Sequence, residues 1–225
     1  MKLSNASSTR PIRLVLMSDT HELHRELEVP DGDILIHAGD FTMFGKNLQA
    51  LRDFNDWLGE LPHAHKVVVY GNHEFMLEAE LSPNCLLTNA TVLINEAVVI
   101  EGIKIWGSPL TPLNGEAYGQ SNASDRARIY DTIPADTDVV VTHGPPYGVL
   151  DSTAEYRGQA GDPELRNAMI RVKPRLHVFG HIHAGYGVRP TKNTLFANAA
   201  LMGWSGELEN RPIVVSLSAV KDHTE

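Results

Sequence analysis

Potential metal ligands follow five short apolar segments of this chain, at the point where each segment ends. They are Asp19 and His21 after LVLM, Asp40 after ILIHA, Asn72 after VVVY, His143 after DVVV, and His181 and His183 after LHVF. Carboxylate, imidazole and amide oxygen are the groups that hold pairs of divalent cations in proteins, and a carboxylate can bridge two ions. The pattern therefore predicts a dinuclear metal site assembled from separate strand ends.

The spacing within two of these groups supports the same interpretation. Asp19 and His21 are two residues apart, as are His181 and His183, and in extended backbone this spacing places both side chains on one face. Taken alone, an Asp-x-His pair is more typical of a turn, and a His-x-His pair fits a turn or a metal site equally well. Five such groups in one chain favour the metal site.

Short β-branched segments and a few amphipathic segments must position these side chains. The predicted strands are 14–17, 34–37, 66–70, 91–94, 97–100, 103–106, 138–142, 176–179, 194–197 and 212–217. Apolar residues spaced by three or four predict a helix over 47–61. Asp162 as N-cap, followed by Pro163, predicts a helix that ends near Val172, and a third helix is predicted between residues 121 and 131. Strands interleaved with helices predict an α/β sandwich in which two sheets share a core.

The composition narrows the class of protein. The chain has 225 residues, a formal net charge of −9 and a single cysteine, Cys85. This length suits a single domain over residues 1–225, with residues 1–10 expected to be flexible. The acidic balance and the lack of Lys or Arg runs argue against binding of long nucleic acids. The lack of a long apolar segment argues against a membrane span, so a cytoplasmic location is expected.

The remaining histidines are expected to be structural or solvated. His37 and His177 lie inside predicted strands, where a hydrogen-bonded structural histidine is favoured over a role behind the metal ligands. The histidines expected to be solvated are His24, His63, His65 and His223.

The order D-x-H, G-D, G-N-H-E, H and G-H-x-H along the chain resembles the calcineurin-like metallophosphoesterase superfamily. The segments SDTH, GDILIHAGDFT, FNDWLGELP, GNHE, THGPP and HVFGHIHAGYG, together with Asn198 and Ala199, are similar to its MPPED-type (metallophosphoesterase-domain-containing) branch. This similarity extends from about residue 13 to residue 217. The resemblance implies a four-layer αββα sandwich of two mixed β-sheets flanked by helices, with the site at the carboxyl ends of the strands.

The resemblance also implies roles for individual residues. One metal ion would be held by Asp19, His21, Asp40 and His183, and the other by Asp40, Asn72, His143 and His181. His73 resembles the family's general acid or transition-state stabiliser. The implied cofactors are two divalent ions, Mn²⁺, Fe²⁺, Zn²⁺ or Co²⁺, with Mn²⁺ favoured for activity.

Two positions depart from the Ser/Thr protein phosphatases of the superfamily. Met43 stands where an Asp would orient the catalytic histidine, and Phe44 stands where an Arg would bind phosphate. Protein phosphatase activity is therefore not expected, and the group that orients His73 is left open. His181, which some members of the branch lack, is present, which favours a catalytically competent form.

A phosphodiesterase acting on small substrates such as cyclic nucleotides is the function that the resemblance implies. A phosphomonoesterase acting on small phosphorylated metabolites needs the same metals, and a non-catalytic scaffold that binds metal and nucleotides is a further alternative. Asn114, Tyr118, Arg189 and Trp204 lie in Gly-rich loops and are predicted to line the substrate pocket. The expected partner is a small phosphate ester, with nucleotides included, rather than a long nucleic acid or a membrane, and the oligomeric state is left open.

Overall fold

The computed structural model describes residues 10–44, 48–75, 86–153 and 158–218. Cys85 and nearly all of the amino-terminal segment lie outside the described residues, so the flexibility expected for that segment stays a prediction. The strands are β1 (Ile12–Met17), β2 (Ile34–His37), β3 (His65–Val68), β4 (Thr91–Val92), β5 (Glu96–Ile100), β6 (Ile103–Ser108), β7 (Val139–Thr142), β8 (Ser152–Thr153), β9 (Gly158–Gln159), β10 (Leu176–Phe179), β11 (Gly187–Pro190), β12 (Leu195–Asn198) and β13 (Ile213–Leu217). The helices with described bounds are α1 (Leu48–Glu60), α2 (Ala123–Tyr130) and α3 (Pro163–Val172).

Two mixed sheets form the centre of the fold. The first has the order β13-β1-β2-β3-β4, in which β1 to β4 are parallel and β13 is antiparallel to β1. The second has the order β11-β12-β10-β7-β6-β5, with β12, β10, β7 and β6 parallel and an antiparallel strand at each edge. The strands that precede the predicted ligands are therefore parallel neighbours, β1-β2-β3 in one sheet and β7-β10 in the other.

Apolar clusters on both faces of each sheet define the layers. The central cluster lies between the sheets and contains fully buried side chains from both, among them Leu14 and Val178. Val15, the next residue of β1, points the opposite way and joins the cluster that α1 covers. A further cluster packs α2 and α3 against the outer face of the second sheet. The arrangement is the predicted αββα sandwich.

The helix α1 follows from its apolar spacing. Leu51, Phe54, Trp57 and Leu58 are buried, and they lie three or four residues apart on one side of the helix. Each large side chain removed from water in this way contributes roughly 1.5–3 kcal/mol. The helix predicted over 47–61 is confirmed, and its observed ends lie within a residue of the predicted ones.

The other two helices are also present, and α3 begins at the predicted N-cap. The carboxylate of Asp162 accepts a hydrogen bond from the backbone N–H of Glu164, and Pro163 occupies the first turn of α3. This helix ends at Lys173, which adopts a left-handed conformation with φ of 52°. The side chain of Asn122 caps α2 by accepting from the N–H of Ser124.

Three short strands were not predicted from the sequence. β8, β9 and β11 contain two to four residues, and β11 begins with a glycine and ends with a proline. Such segments lack the β-branched run that marks a buried strand, and β11 lies at an edge of its sheet, where a proline is tolerated.

The expectation that His24 and His63 are solvated is wrong. Both are buried, with 1% and 2% of their surface exposed. His24 packs against the rings of Phe54 and Trp57, and its Nε2 lies 2.9 Å from an Asp53 carboxylate oxygen. His65 is half-buried, and His223 lies outside the described residues.

No helix in the described part of the chain is long and apolar enough to cross a bilayer.

Candidate metal centre

The turns that follow β1, β2, β7 and β10 carry the predicted ligands and are joined by backbone hydrogen bonds. The N–H of Asp19 donates to the carbonyl of Gly39 at 2.9 Å, and the N–H of His21 donates to the carbonyl of Asp40 at 3.1 Å. In the second sheet, the N–H of Gly180 donates to the carbonyl of His143 at 2.9 Å. Because adjacent parallel strands end at one edge, these turns converge on one side of the sandwich.

Several ligand-bearing residues adopt an unusual backbone conformation. Asp19, His21, Asp40 and His181 have φ values of 54°, 39°, 55° and 64°. Positive φ is uncommon for residues other than glycine and is concentrated at functional sites. The expectation that Asp19 and His21 share a face of extended backbone is therefore wrong, although the two side chains do come together.

Two glycines allow the carboxylates to approach the neighbouring turns. A Cβ atom added at Gly180 would lie 2.0 Å from a carboxylate oxygen of Asp19, and one at Gly71 would lie 2.2 Å from a carboxylate oxygen of Asp40. Any side chain at either position would displace a predicted ligand.

The predicted ligands form overlapping groups of donor atoms. Asp19, His21 and His183 make one group, Asp40, His143 and His181 make another, and the donor atoms within each group lie within 4.8 Å of one another. A further group joins His21, Asp40 and His73. Asp40 thus shares one group with His21 of the first set and another with His143 and His181 of the second.

Asn72 completes the second group. Its side-chain oxygen lies 2.8 Å from Nε2 of His143, and the same Nε2 lies 3.2 Å from a carboxylate oxygen of Asp40. Three donor atoms from three different turns thus face one another.

The charge of the site fits bound cations. Asp19 and Asp40 are 0% and 2% exposed, and a buried carboxylate needs a positive partner. Within the described residues, the ion-pair partners of these two carboxylates are histidines, with His183 at 3.4 Å from Asp19, and no Lys or Arg pairs with either. Oxygen and imidazole donors around two buried carboxylates that lack a Lys or Arg partner among the described residues suit divalent transition-metal ions.

Backbone carbonyls fix the orientation of two ligand imidazoles. Nδ1 of His21 lies 3.1 Å from the carbonyl oxygen of Thr42, and Nδ1 of His143 lies 2.9 Å from that of Ala38. A ring that donates through Nδ1 presents Nε2 as its metal-binding atom.

The pKa shifts of Asp19 and His181 favour the protonation states that metal binding requires, whereas that of His143 favours a protonated ring. Burial raises the pKa of Asp19, but His183 and His143 outweigh it and lower this pKa to about 2. Burial and the neighbouring His143 lower the pKa of His181 to about 4. Burial also lowers the pKa of His143, but Asp40 outweighs it and raises this pKa to about 10, so His143 must exchange a proton for a cation.

His73 lies at the edge of the same space. Its Nδ1 contacts the carbonyl oxygen of Met43, and its Nε2 lies 3.9 Å from a carboxylate oxygen of Asp40. The main chain at Met43 thus provides the contact that an aspartate side chain would make at this position. The ring of Phe44 lies 5.7 Å from the His73 ring and is 59% exposed.

Glu74 is the last residue of the G-N-H-E motif, and the structure gives it a specific position. Its buried carboxylate accepts hydrogen bonds from the backbone N–H groups of Gly71, Asp40 and Thr42 at 2.5, 3.0 and 3.0 Å. Burial and the nearby Asp40 raise the pKa of Glu74 to about 7. This carboxylate joins the turn after β2 to the turn after β3, which no sequence spacing indicates.

Glu116 is a second residue that the sequence did not single out. Its carboxylate accepts a hydrogen bond from the side-chain nitrogen of Asn72, which leaves the Asn72 oxygen directed at His143. The N–H of Ala117 also donates to the backbone carbonyl of Asn72 at 3.3 Å. Glu116 lies in a loop rich in Pro, Gly and Asn, and no motif or spacing in that loop indicates its contact with Asn72.

The structure does not bring the predicted substrate-pocket residues into the groups of donor atoms. Asn114 and Trp204 are exposed, and the ring of Tyr118 packs 5.8 Å from that of Tyr70. Arg189 donates to the carbonyl of Gly148 at 2.9 Å and lines a cavity beside α3. A substrate role for these four residues stays a prediction.

The chain is similar to calcineurin-like phosphoesterases and to proteins with a metallophosphoesterase domain. The family model for calcineurin-like phosphoesterases matches residues 12–185. Metallophosphoesterase domain-containing protein 1 from Homo sapiens is 37% identical over 231 residues, which covers 91% of this chain and 71% of the relative. A UPF0046 protein from Caenorhabditis elegans is 37% identical over 218 residues, which covers 90% of this chain and 74% of the relative.

A solved crystal structure shares the fold. It covers 92% of this chain and 95% of its own, at 18% identity and a TM-score of 0.68. The match of the family model over most of the chain, and the similarity of the two relatives, define its membership. The chain belongs to the calcineurin-like phosphoesterase family.

Proposed function

We propose that this protein is a dinuclear metal-dependent phosphodiesterase that acts on small substrates such as cyclic nucleotides. The observation that carries the proposal is the position of Asp40 between two groups of donor atoms, each completed by residues from the opposite sheet. A lone structural ion would need only one such group. The proposal treats residues 1–225 as a single domain.

The ligand roles follow from the two groups. Asp19, His21, Asp40 and His183 would hold one ion, and Asp40, Asn72, His143 and His181 would hold the other. Mn²⁺ is the ion we propose for activity, because mixed oxygen and imidazole donors suit it.

Bound ions at such a site supply positive charge for the phosphate and lower the pKa of water. The residues of the chain orient the metal-binding groups and provide the proton donor. Contacts of Nδ1 with backbone carbonyls keep Nε2 of His21 and of His143 directed inward. Glu74 holds the main chain at Asp40 by accepting a hydrogen bond from its N–H. His73, with Nδ1 on the Met43 carbonyl, can present a proton at Nε2 to the leaving oxygen of the substrate.

The preference for a diester rests on the charge around His73. A monoester dianion is best held by an additional Arg, and Phe44 occupies the position where related phosphatases carry one. Glu116 adds a negative group beside Asn72. A diester carries one charge fewer and suits this environment better.

The test is a metal-reconstituted assay that compares bis(p-nitrophenyl) phosphate, p-nitrophenyl phosphate and 2′,3′- and 3′,5′-cyclic nucleotides. We expect hydrolysis that depends on Mn²⁺, with a higher kcat/KM for the diesters than for the monoester. A higher value for the monoester would make the protein a phosphomonoesterase. A fully metal-loaded protein that hydrolyses none of them would support a binding scaffold instead.

A further inference from the structure

A second cavity lies on the side of the second sheet, beside α3. Its volume is about 270 Å³, and its walls come from α3, from the hairpin of β11 and β12, and from the loop that follows β7. The residues that matter for its chemistry are Arg166, Lys173, Arg189, Met169, Ile170 and Phe196. It contains none of the predicted metal ligands.

Three cationic side chains line this cavity without a negative partner. Within the described residues, Arg166, Lys173 and Arg189 form no ion pair, and the lining contains no Asp or Glu. The protein as a whole has a net charge of −9. A local concentration of uncompensated positive charge in an acidic protein favours an anionic ligand.

Two of the cations are held in place by the main chain. Arg166 donates through Nη1 to the carbonyl of Tyr147, and Arg189 donates through Nη1 to the carbonyl of Gly148, each at 2.9 Å. Each guanidinium carries five N–H donors, so one such bond fixes the group and leaves donors for a ligand. Gly148 lies against Arg166, because a Cβ atom added there would be 3.2 Å from its Nη1.

The remaining wall is apolar. Met169 and Phe196 are buried, whereas Ile170 is 61% exposed at the cavity. A cavity of about 150 Å³ accepts benzene. The larger volume here suits a body of one or two rings with a charged group attached.

We propose that this cavity binds a small organic anion that combines an apolar ring system with one negatively charged group. The charged group lies against Arg166, Lys173 and Arg189, and the apolar body lies against Met169, Ile170 and Phe196. The site is separate from the metal centre and does not depend on the proposed phosphodiesterase activity.

The first test uses 2-naphthalenesulfonate as the probe, with the metal-loaded protein, by fluorescence titration and calorimetry. We expect one saturable site per chain, and at least tenfold weaker binding of 2-naphthalenemethanol and of inorganic sulfate. Chelation with EDTA should leave the affinity for the probe unchanged. Equal affinity for the alcohol, loss of binding on chelation, or no saturable binding would each overturn the proposal.

Matched variants locate the site. The double variant Lys173→Gln with Arg189→Gln should weaken binding of 2-naphthalenesulfonate at least tenfold, and Ile170→Glu should do the same by adding a negative charge. Lys192→Gln is the control, because Lys192 is an exposed cation of the same hairpin that does not line the cavity. All four substituted positions are exposed, so circular dichroism should show native folding. Equal binding by the cavity variants and the control would contradict the proposed site.

Discussion

A main-chain carbonyl, rather than a side-chain carboxylate, contacts Nδ1 of His73. The sequence identified His73 but left its orienting group open, because Met43 has no side chain suited to the task. The structure provides the carbonyl of Met43 through the path of the backbone after β2. A sequence motif cannot indicate a contact made by a backbone carbonyl, since every residue type has one. The residue type at position 73 therefore indicates its chemistry, but it does not indicate which group orients the ring.

Replacing His73 should reduce the rate and leave the metals in place. We expect His73→Ala to lower kcat by about 10²–10⁴-fold, the range typical of a lost general acid. The metal content by elemental analysis should match that of the unmodified protein. His65→Ala, on a half-buried histidine at the start of β3, is the control and should retain activity. A His73 variant that loses metal would show that His73 is a ligand.

Glu74 should act as a positioning residue for Asp40. In Glu74→Gln, the side-chain nitrogen cannot accept the backbone N–H bonds that a carboxylate oxygen accepts. We expect the affinity for the metals to fall about 10–100-fold, as for other groups that support metal ligands. Competition with a chromogenic chelator measures this change, and Glu28→Gln on the exposed surface is the control. Unchanged metal affinity would reduce Glu74 to a purely structural role.

The regular elements were largely readable from the sequence because their signals are local. The apolar residues of α1 recur every three or four positions, and the N-cap at Asp162 lies next to the helix that it starts. All three predicted helices are present. The short strands β8, β9 and β11 were not predicted, because they lack the β-branched run that marks a buried strand. The burial of His24 was also missed, since it depends on how α1 packs across the chain.

The cap of α3 also takes part in a buried ion pair. Asp162 accepts hydrogen bonds from Nε and Nη2 of Arg126 at 2.8 and 3.2 Å, and both residues are buried. Asp162→Ala removes the cap and leaves a buried guanidinium unpaired, so we expect a loss of about 3–5 kcal/mol in the free energy of unfolding. Asn122→Ala, which removes only the cap of α2, should cost about 1 kcal/mol. Urea unfolding measures both, and equal losses would contradict the role of the ion pair.

The strand β10 should make the stability depend on pH through His177. Burial lowers the pKa of His177 from 6.5 to about 3 in the folded protein. The unfolded chain therefore binds more protons between these values, so the contribution is complete above pH 6.5 and is lost as the pH falls. From pH 7.5 to pH 5 this group should cost about 2 kcal/mol. Urea unfolding of His177→Phe should show a shallower pH dependence than the unmodified protein, and an equal slope would contradict the assignment.

At the scale of the whole molecule, the αββα architecture and the clustering of ligands were predicted, but the contacts between turns were not. Residue types at strand ends indicate which groups converge once the ligand-bearing strands are assumed to be parallel within each sheet. The bond from Asn72 to Glu116 and the bonds from the turns after β2 and β3 to Glu74 join segments that no local rule relates. Those contacts depend on the final packing of loops.

The metals should stabilise the folded molecule as a whole. A ligand at a hundredfold excess over its Kd adds about 2.7 kcal/mol per site. For a chain of this size that corresponds to a rise in Tm of roughly 5–10 °C. Calorimetry with Mn²⁺ and with EDTA measures the difference, and Asp40→Ala should abolish it. A Tm that does not respond to metal would argue against occupied sites in solution.

The donors of the second group come from different sheets, since Asp40 follows β2 and His143 follows β7. An ion held there would be a non-covalent crosslink across the interface between the sheets. Separation of the two halves during denaturation would then liberate the ion in the same event. A metal-sensitive dye in the solution would report this release as a change in absorbance or fluorescence. The rate of that change would give the rate at which the two sheets separate, without any label on the protein.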